Sequence, residues 1–294
     1  MAGLLFETTI AGGDRPTPAA DRAAAYGDGL FETLLLHNGR CSLLDVHRRR
    51  LNEGAQRLGL QLPVMLWSSL ETCFNTLSER PFSLAKVTVW RRSTGRGYAP
   101  GSAECHVHLS VYEAAAPWSH RIWREGAYLE LSKVPLAMDP RLAGIKHLNR
   151  LSQVLAAGEQ GHADEHLMLD ISGQIVEGTK TNVILVNRLP AIEPGVAEER
   201  FELLSPRLDQ AGVDGVARQT LREAVMGGQF GEALQWNEGG VTPLMLTSAA
   251  EVLVCNSIIG IWPVRQIGCV HKADPVISRR LQAHWQSIIE GQQS

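Results

Sequence analysis

This chain of 294 residues has little that would place it at once. Its five cysteines, Cys41, Cys73, Cys105, Cys255 and Cys269, are odd in number, widely spaced and include no CxxC pair. That excludes a disulfide framework and speaks against a zinc site, so they read as reduced packing residues. The histidines show no metal-ligand spacing either, and no metal is expected. No apolar run approaches the about 18 residues of a membrane span. The opening stretch Met1 to Glu7 has neither the basic head nor the apolar core of a signal peptide. Charge of one sign is also missing: 28 Lys and Arg against 31 Asp and Glu leave a net charge of -3, with no basic field to draw nucleic acid. The expectation is a soluble, cytoplasmic protein with neither a nucleic-acid nor a membrane partner.

What is present is a globular composition, 44% hydrophobic and 20% charged, long enough for one large domain or two smaller ones. Strand and helix signals alternate without internal repeat. Leu4 to Ile10 reads as a strand, and Ala11 to Ala25, with two glycines and two prolines, as a loop. Gly29 to His37 is strand-like, and Asn38-Gly39 signals a hairpin turn with a return strand over Arg40 to Leu44. Asp45 suits the N-cap of a helix to about Leu58. A second helix follows Pro63, and strands at Leu84 to Trp90 and Cys105 to Tyr112 flank a loop from Arg91 to Gly101. Ala114 to Trp118 is the linker candidate. In the second half the pattern predicts strands at Tyr128 to Leu131, His166 to Asp170, Val183 to Val186 and Val252 to Cys255. It predicts helices at about His147 to Gly158, Gly215 to Met226, after Thr242-Pro243, and at Pro275 to Ile289. Leu189 to Glu202, rich in Pro and Glu, reads as an exposed insertion. The fold class expected is α+β with two domains, residues 1–117 and 118–294.

Three segments of the second half carry chemistry: Gly144-Ile145-Lys146-His147-Leu148-Asn149-Arg150, Val176-Glu177-Gly178-Thr179-Lys180-Thr181-Asn182, and Gly215-Val216-Ala217-Arg218. Lys146 precedes an apolar stripe of Leu148, Leu151 and Leu155. Held in a partly apolar pocket, a lysine amine becomes a usable nucleophile and base; the alternative is a solvated lysine near a helix start. Glu177 follows a hairpin strand, and Thr181 and Asn182 could orient it; it also reads as an ordinary edge-strand glutamate. Gly215 to Ala217 opens a helix whose free N–H groups and dipole favour a phosphate, or is a plain helix start. Asn256-Ser257, after an apolar strand, offers a further amide and hydroxyl, or a turn. In the run His47-Arg48-Arg49-Arg50 the first three read as a solvated face. Arg50, beside Leu51 on the apolar stripe, is the one that points inward at an anion. Arg91, Arg92, Arg96 and Tyr98 crowd a Gly-containing loop suited to a carboxylate substrate, or simply to solvent. His147, turned away from its neighbour by a helix, takes a structural role. An amine, an acid and a phosphate cradle are the three things pyridoxal phosphate requires: a lysine for its aldehyde, a carboxylate for its ring nitrogen and a site for its phosphate.

These residues resemble the fold-type IV pyridoxal-phosphate enzymes, the class IV aminotransferase family. The resemblance begins at Tyr26-Gly27-Asp28-Gly29-Leu30-Phe31-Glu32-Thr33, passes through His47 to Leu51 and the three segments above, and ends at Cys255-Asn256-Ser257 with Pro263-Val264. Gly144 to Leu151, Gly95-Arg96-Gly97-Tyr98 and Arg207 to Val213 are most similar to the family's aminodeoxychorismate lyases, which convert 4-amino-4-deoxychorismate to 4-aminobenzoate and pyruvate in folate synthesis. The alternative is a D-amino-acid or branched-chain aminotransferase of the same fold; a non-catalytic binding homologue would not need both Lys146 and Glu177. The resemblance implies that Lys146 carries the cofactor and that Glu177 faces the pyridine nitrogen. Arg50, Val216, Ala217 and Ser257 would hold the phosphate, with Asn256 beside them. It also implies a homodimer. Arg96, then Arg91 and Tyr98, are the candidates for a dicarboxylate substrate, and Thr33 for donating a proton to the leaving group. Two departures stand out: Arg92 where some relatives have glycine, and the longer Leu189 to Glu202 stretch.

Overall fold

The computed structural model of the protein describes residues 3–11, 21–190, 199–272 and 274–292. The chain divides into two compact units. One comprises Met1–Ala116 with Ile145–Arg150 and Ile288–Ser294, the other Pro117–Gly144 with Leu151–Ser287. A single cut near residue 118 therefore does not separate them, because the lysine segment 145–150 belongs with the first unit.

The first unit runs β1 (Leu4–Ala11), α1 (Arg22–Tyr26), β2 (Gly29–His37), α2 (Leu44–Leu58), α3 (Leu66–Asn75), β3 (Phe82–Arg91) and β4 (Cys105–Glu113). Its four strands form an antiparallel sheet in the order β1-β4-β3-β2. Alternation along the strands puts Leu30, Leu34 and Leu36 on one face with Ala85, Val87, Val89, Val107, Leu109 and Val111, all at most 1% exposed. Helix α2 packs on this face with Leu51 and Ala55, and α3 adds the buried Leu66, Leu70 and Phe74.

Local chemistry explains where this unit departs from expectation. Asn38 and Gly39 do take positive φ (49° and 72°), as the turn requires. The hairpin ends at once, however: it consists of the single bridge from His37 to Arg40, and the chain enters α2 in place of a return strand at 40–44. Leu43, not Asp45, is the N-cap; Asp45 lies in the first turn, where its charge suits the helix dipole. The supposed loop at 11–25 ends in the short helix α1, capped by the Asp21 carboxylate; residues 12–20 lie outside the described residues.

The second unit contains α4 (Arg121–Glu125), β5 (Ala127–Leu131), α5 (Leu151–Ala157), β6 (Glu165–Leu169), β7 (Ile175–Gly178), β8 (Asn182–Arg188) and β9 (Phe201–Pro206). It continues with α6 (Val216–Met226), β10 (Leu234–Gly239), α7 (Pro243–Ser248), β11 (Glu251–Asn256), β12 (Gly260–Ile267), β13 (Val270–His271) and α8 (Val276–Glu290). Its mixed sheet has the order β10-β9-β8-β11-β12-β5-β6-β7, with β13 on β12. The central strands β8 and β11 are buried on both faces, which is why Val183 to Val186 and Val252 to Cys255 read as continuous apolar runs. Thr242 caps α7 through the Met245 N–H, with Pro243 at the first helical position, as the dipeptide predicted. The buried Glu251 carboxylate accepts the Ile277 and Ser278 N–H groups at the start of α8 (2.7 and 2.8 Å).

The segment 147–150 is not helical, with His147 in a bridge to Leu30, and the helix expected from His147 begins only at Leu151. Leu151 and Leu155 are 70% and 62% exposed, so the expected stripe does not face a core. Of the insertion, residues 191–198 lie outside the described residues; Leu189 N–H bonds to Arg200 O, and Phe201 and Glu202 already belong to β9. No described helix is long and apolar enough to cross a membrane. All five cysteines are free.

Candidate active site

In the first unit the lysine is placed by its backbone. The 145–150 segment lies along the edge strand β2: Phe31 N–H donates to Lys146 O (3.0 Å), Leu148 N–H donates to Gly29 O (2.9 Å), and Leu30 bridges His147. Gly29 allows this approach, because a Cβ there would sit 2.8 Å from both the Leu148 side chain and the Trp90 Cα. The Lys146 ammonium nitrogen then stands 4.4 Å from the centre of the Phe31 ring. Thr33, two residues along β2, shares the face that Phe31 presents. His147 is half-buried, and burial, helped by the charge of Arg150, pushes it down to about 4. It remains neutral at ordinary pH, as a structural role requires, although non-helical backbone bridged to Leu30 sets its direction.

Arg50 does turn inward, and His47 with it. Arg50 is 6% exposed and His47 is fully buried, so the run 47–50 is a solvated face only at Arg48 and Arg49. Both buried residues meet the carboxylate of Glu32, which the sequence reading left without a role. Glu32 had a signal: it is the one charged residue among the inward positions 30, 32, 34 and 36 of β2, and a buried carboxylate demands a basic partner.

The arginines of the 91–104 loop divide sharply. Arg91 is buried, and its guanidinium bonds to Asp28 Oδ2 (2.9 Å) and to the carbonyls of Leu58, Gly59 and Ser102. This corrects its place among substrate ligands, since four of its five donors brace the loop base. Arg92 pairs with Glu104 on the surface (3.0 Å). Arg96 and Tyr98 are exposed at the loop tip. Arg22 holds that tip by donating to the carbonyls of Gly97 and Tyr98 (2.9 and 3.0 Å) while sharing Asp28 with Arg91.

In the second unit Glu177, 5% exposed on β7, accepts the Val213 N–H at Oε2 (2.8 Å) and the Gln153 amide at Oε1 (3.3 Å). Gln153 and Val213 therefore take the orienting role expected of Thr181 and Asn182. The Thr181 hydroxyl instead bonds to Glu165 (3.0 Å), a buried acid that also gathers the Thr179 and Lys180 N–H groups and shapes the 179–181 turn.

Helix α6 begins as expected. Its N-cap, Gly215, brings no side-chain cap, and no acidic residue occupies its first turn, so the N–H groups of Val216 and Ala217 are those a helix leaves for an anion. Gly215 is required by its neighbour: a Cβ there would fall far inside contact distance of Asn182 Oδ1. Asn182 is itself buried and donates to Val213 O (2.9 Å), linking the helix start to the residue that holds Glu177. Behind this turn Arg218, 1% exposed, bonds to Ser205, Asp214 and Glu238.

Asn256 departs from its expected role beside the phosphate. Its amide donates to Lys180 O (3.0 Å), and its Oδ1 accepts the N–H groups of Ile258 and Ile259 (both 2.8 Å), so it builds the turn that presents Ser257. No group of three or more His, Cys, Asp or Glu side chains able to hold a metal is found among the described residues.

In the first unit an amine is seated over an aromatic ring; the second unit has a buried, doubly held carboxylate and an uncapped helix start whose glycine leaves no room for a Cβ. Each is a kind of donor that a phosphorylated aldehyde cofactor uses. The amino-transferase class IV family model matches residues 29–267, and the chain belongs to that family. More particular likenesses point within it. The chain is 29% identical over 275 residues to the aminodeoxychorismate lyase of Vibrio harveyi, covering 91% of this chain and 94% of that one. The solved 4-amino-4-deoxychorismate lyase of Pseudomonas aeruginosa superposes with a TM-score of 0.80 at 34% identity, over 96% of this chain and 98% of the other. The branched-chain aminotransferase of Thermoproteus uzoniensis has a TM-score of 0.78 at 18% identity, over 100% and 97% of the two chains, and shares the fold.

Proposed function

We propose that this chain is a pyridoxal-phosphate-dependent aminodeoxychorismate lyase, converting 4-amino-4-deoxychorismate to 4-aminobenzoate and pyruvate. The observation that carries the reading is the 34% identity to a solved lyase over nearly the full length of both chains. Lys146 in the first unit, and Glu177 and the α6 start in the second, are the residue types that the reading needs.

When bound, pyridoxal phosphate supplies an aldehyde that takes up amines and a ring that accepts the electrons of a carbanion. Lys146 Nζ is the amine that would hold it, and the same nitrogen, once free, would take the proton from the substrate carbon that bears nitrogen. The backbone bonds from β2 fix where that nitrogen starts, and Phe31 beneath it limits its hydration. Glu177 would hold a proton at the ring nitrogen, and the bonds from Val213 and Gln153 keep its carboxylate from turning away. The Val216 and Ala217 N–H groups and Ser257 would bind the phosphate, and Arg50 is the arginine proposed to join them. The electron pair left by the proton becomes part of the aromatic ring as the neighbouring C–O bond breaks. Enolpyruvate departs with the C–O pair and takes a proton to become pyruvate, with the Thr33 hydroxyl as the proposed donor. Arg96 and Tyr98 are the proposed ligands of a substrate carboxylate, reached from the loop tip that Arg22 anchors.

The protein is read as a cytoplasmic homodimer. The free cysteines suit a reducing compartment. Leu151, Val154 and Leu155, all more than 60% exposed on α5, offer an apolar face for a second copy.

The test is product formation from freshly generated aminodeoxychorismate. Fluorescent 4-aminobenzoate with equimolar pyruvate is expected, and its loss in Lys146→Ala. A protein that carries the cofactor absorbance band, makes no aminobenzoate and instead moves an amine from D- or branched-chain amino acids to 2-oxoglutarate would replace the lyase reading with an aminotransferase.

A further inference from the structure

Glu32, His47 and Arg50 form a buried polar group inside the first unit. Glu32 is 1% exposed on the helix-covered face of β2, surrounded by leucines and valines. Two residues of α2, one turn apart, reach it. His47 Nδ1 lies 2.6 Å from Oε2, while Arg50 Nε and Nη2 lie 2.8 and 2.5 Å from Oε1 and Oε2. The two guanidinium contacts are parallel and on one edge, which fixes the plane of the group as well as its position. We propose that Glu32 and His47 are positioning residues for Arg50, clamping one edge of its guanidinium so that the group is held in one fixed orientation for binding the phosphate of the cofactor. This inference rests on the pyridoxal-phosphate reading above.

The chemistry of the group favours direction over charge. Burial pushes the Glu32 carboxyl upward, but the Arg50 charge and the His47 contact outweigh it and hold the acid at about 2, so it is an anion at any working pH. His47 is pushed downward, chiefly by burial. Its Nε2 is buried and has no hydrogen-bond partner, so a second ring proton would have no acceptor. The imidazole is therefore neutral, with Nδ1 donating to Glu32. A carboxylate, a guanidinium and a neutral ring sum to no net charge. Such a group attracts an anion through the fixed direction of its N–H bonds, not through an excess of positive charge. An arginine side chain left to itself would have to give up its rotamer freedom on binding; here the clamp has removed that freedom in advance.

The experiment compares pyridoxal phosphate with pyridoxal, which lacks only the phosphate, by absorbance titration of the apoprotein. The ratio of the two affinities reads the phosphate contacts alone. Glu32→Gln keeps the shape but replaces half of the acceptor edge with a donor, and it is expected to reduce that ratio about tenfold or more, leaving pyridoxal affinity nearly unchanged. His47→Gln should reduce it less, and it serves in its place if Glu32→Gln does not fold. In an Arg50→Gln background, Glu32→Gln should have no further effect. Inorganic phosphate should raise the melting temperature of the apoprotein, and raise it less in Glu32→Gln. A ratio unchanged in Glu32→Gln and His47→Gln, while Arg50→Gln reduces it, would overturn the clamp. A ratio unchanged in Arg50→Gln would remove Arg50 from the phosphate site and the clamp with it; the aminobenzoate assay would still decide the lyase reading separately.

Discussion

Gly215→Ala tests the phosphate cradle with one added methyl group. The backbone there has φ of -66°, which alanine adopts without strain, so any penalty comes from the side chain and the cap. The new Cβ would meet Asn182 Oδ1 far inside contact and lie 3.1 Å from Cγ. The amide must turn away, and turning it breaks the 2.9 Å bond from Nδ2 to Val213 O. Asn182 is 5% and Val213 9% exposed, so water does not replace that bond freely. A carbonyl left without its donor in such a place costs about 1–3 kcal/mol. Alanine is also a poorer N-cap than glycine, by roughly 0.5 kcal/mol or more. The sum, about 2–3 kcal/mol, corresponds to about 5–10 °C in melting temperature for a unit of this size. The assay is thermal and urea unfolding of Gly215→Ala, Asn182→Ala and the double variant. Asn182→Ala alone should lose about 1–3 kcal/mol for the same bond. With Oδ1 gone the methyl group has room, so the double variant should be little worse than Asn182→Ala, giving a coupling of about 1–2 kcal/mol. Wild-type stability in Gly215→Ala, or penalties that simply add, would refute the contact as the reason for glycine.

The two loop arginines should separate by assay. Arg91→Gln is expected to lower stability by about 2 kcal/mol, less than for a fully orphaned buried pair because Arg22 still faces Asp28. Arg96→Gln should raise KM for the dicarboxylate with an unchanged unfolding midpoint, and the reverse pattern would restore Arg91 as the substrate ligand. Acid should weaken the fold through its buried histidines. His147 is held at about 4, and His47 and His284 are also pushed down by burial, so each is neutral in the folded chain and takes a proton near 6.5 once unfolded. Their contribution is complete above about 6.5 and falls away with acid below that; the part that comes from His147 is lost as pH falls through about 4. The melting temperature should decline over that window and decline less in His147→Asn; an identical slope would exclude His147 as a contributor.

Much of the candidate site was legible in the chain because it lies in short, ordered segments. Lys146, Glu177 and the uncapped Gly215 start were each recognisable by residue type and spacing, since a helix N-terminus exposes its N–H groups whatever surrounds it. The Asn38-Gly39 turn and the Thr242-Pro243 cap were equally local, set by the φ preference of two residues and by one hydroxyl. Tertiary structure decided what each polar side chain faces. Arg91 and Arg96 are alike in sequence and opposite in fate, because Asp28 and three carbonyls from distant segments close around only one of them. Asn256 and Ser257 were alike as candidate phosphate ligands in the sequence; in the fold the Lys180 carbonyl and two N–H groups claim the Asn256 amide. The helix expected over 147–150 gave way to non-helical chain because β2 offered an edge with unpaired backbone groups, and hydrogen bonds to that edge outweigh local propensity. Glu32 was visible only as a charge out of place in an apolar strand; which bases would answer it depended on α2 packing across that face. Local backbone rules act over a few residues and can be read directly from the chain, whereas the partner of a buried charge is chosen by residues brought from elsewhere in the fold.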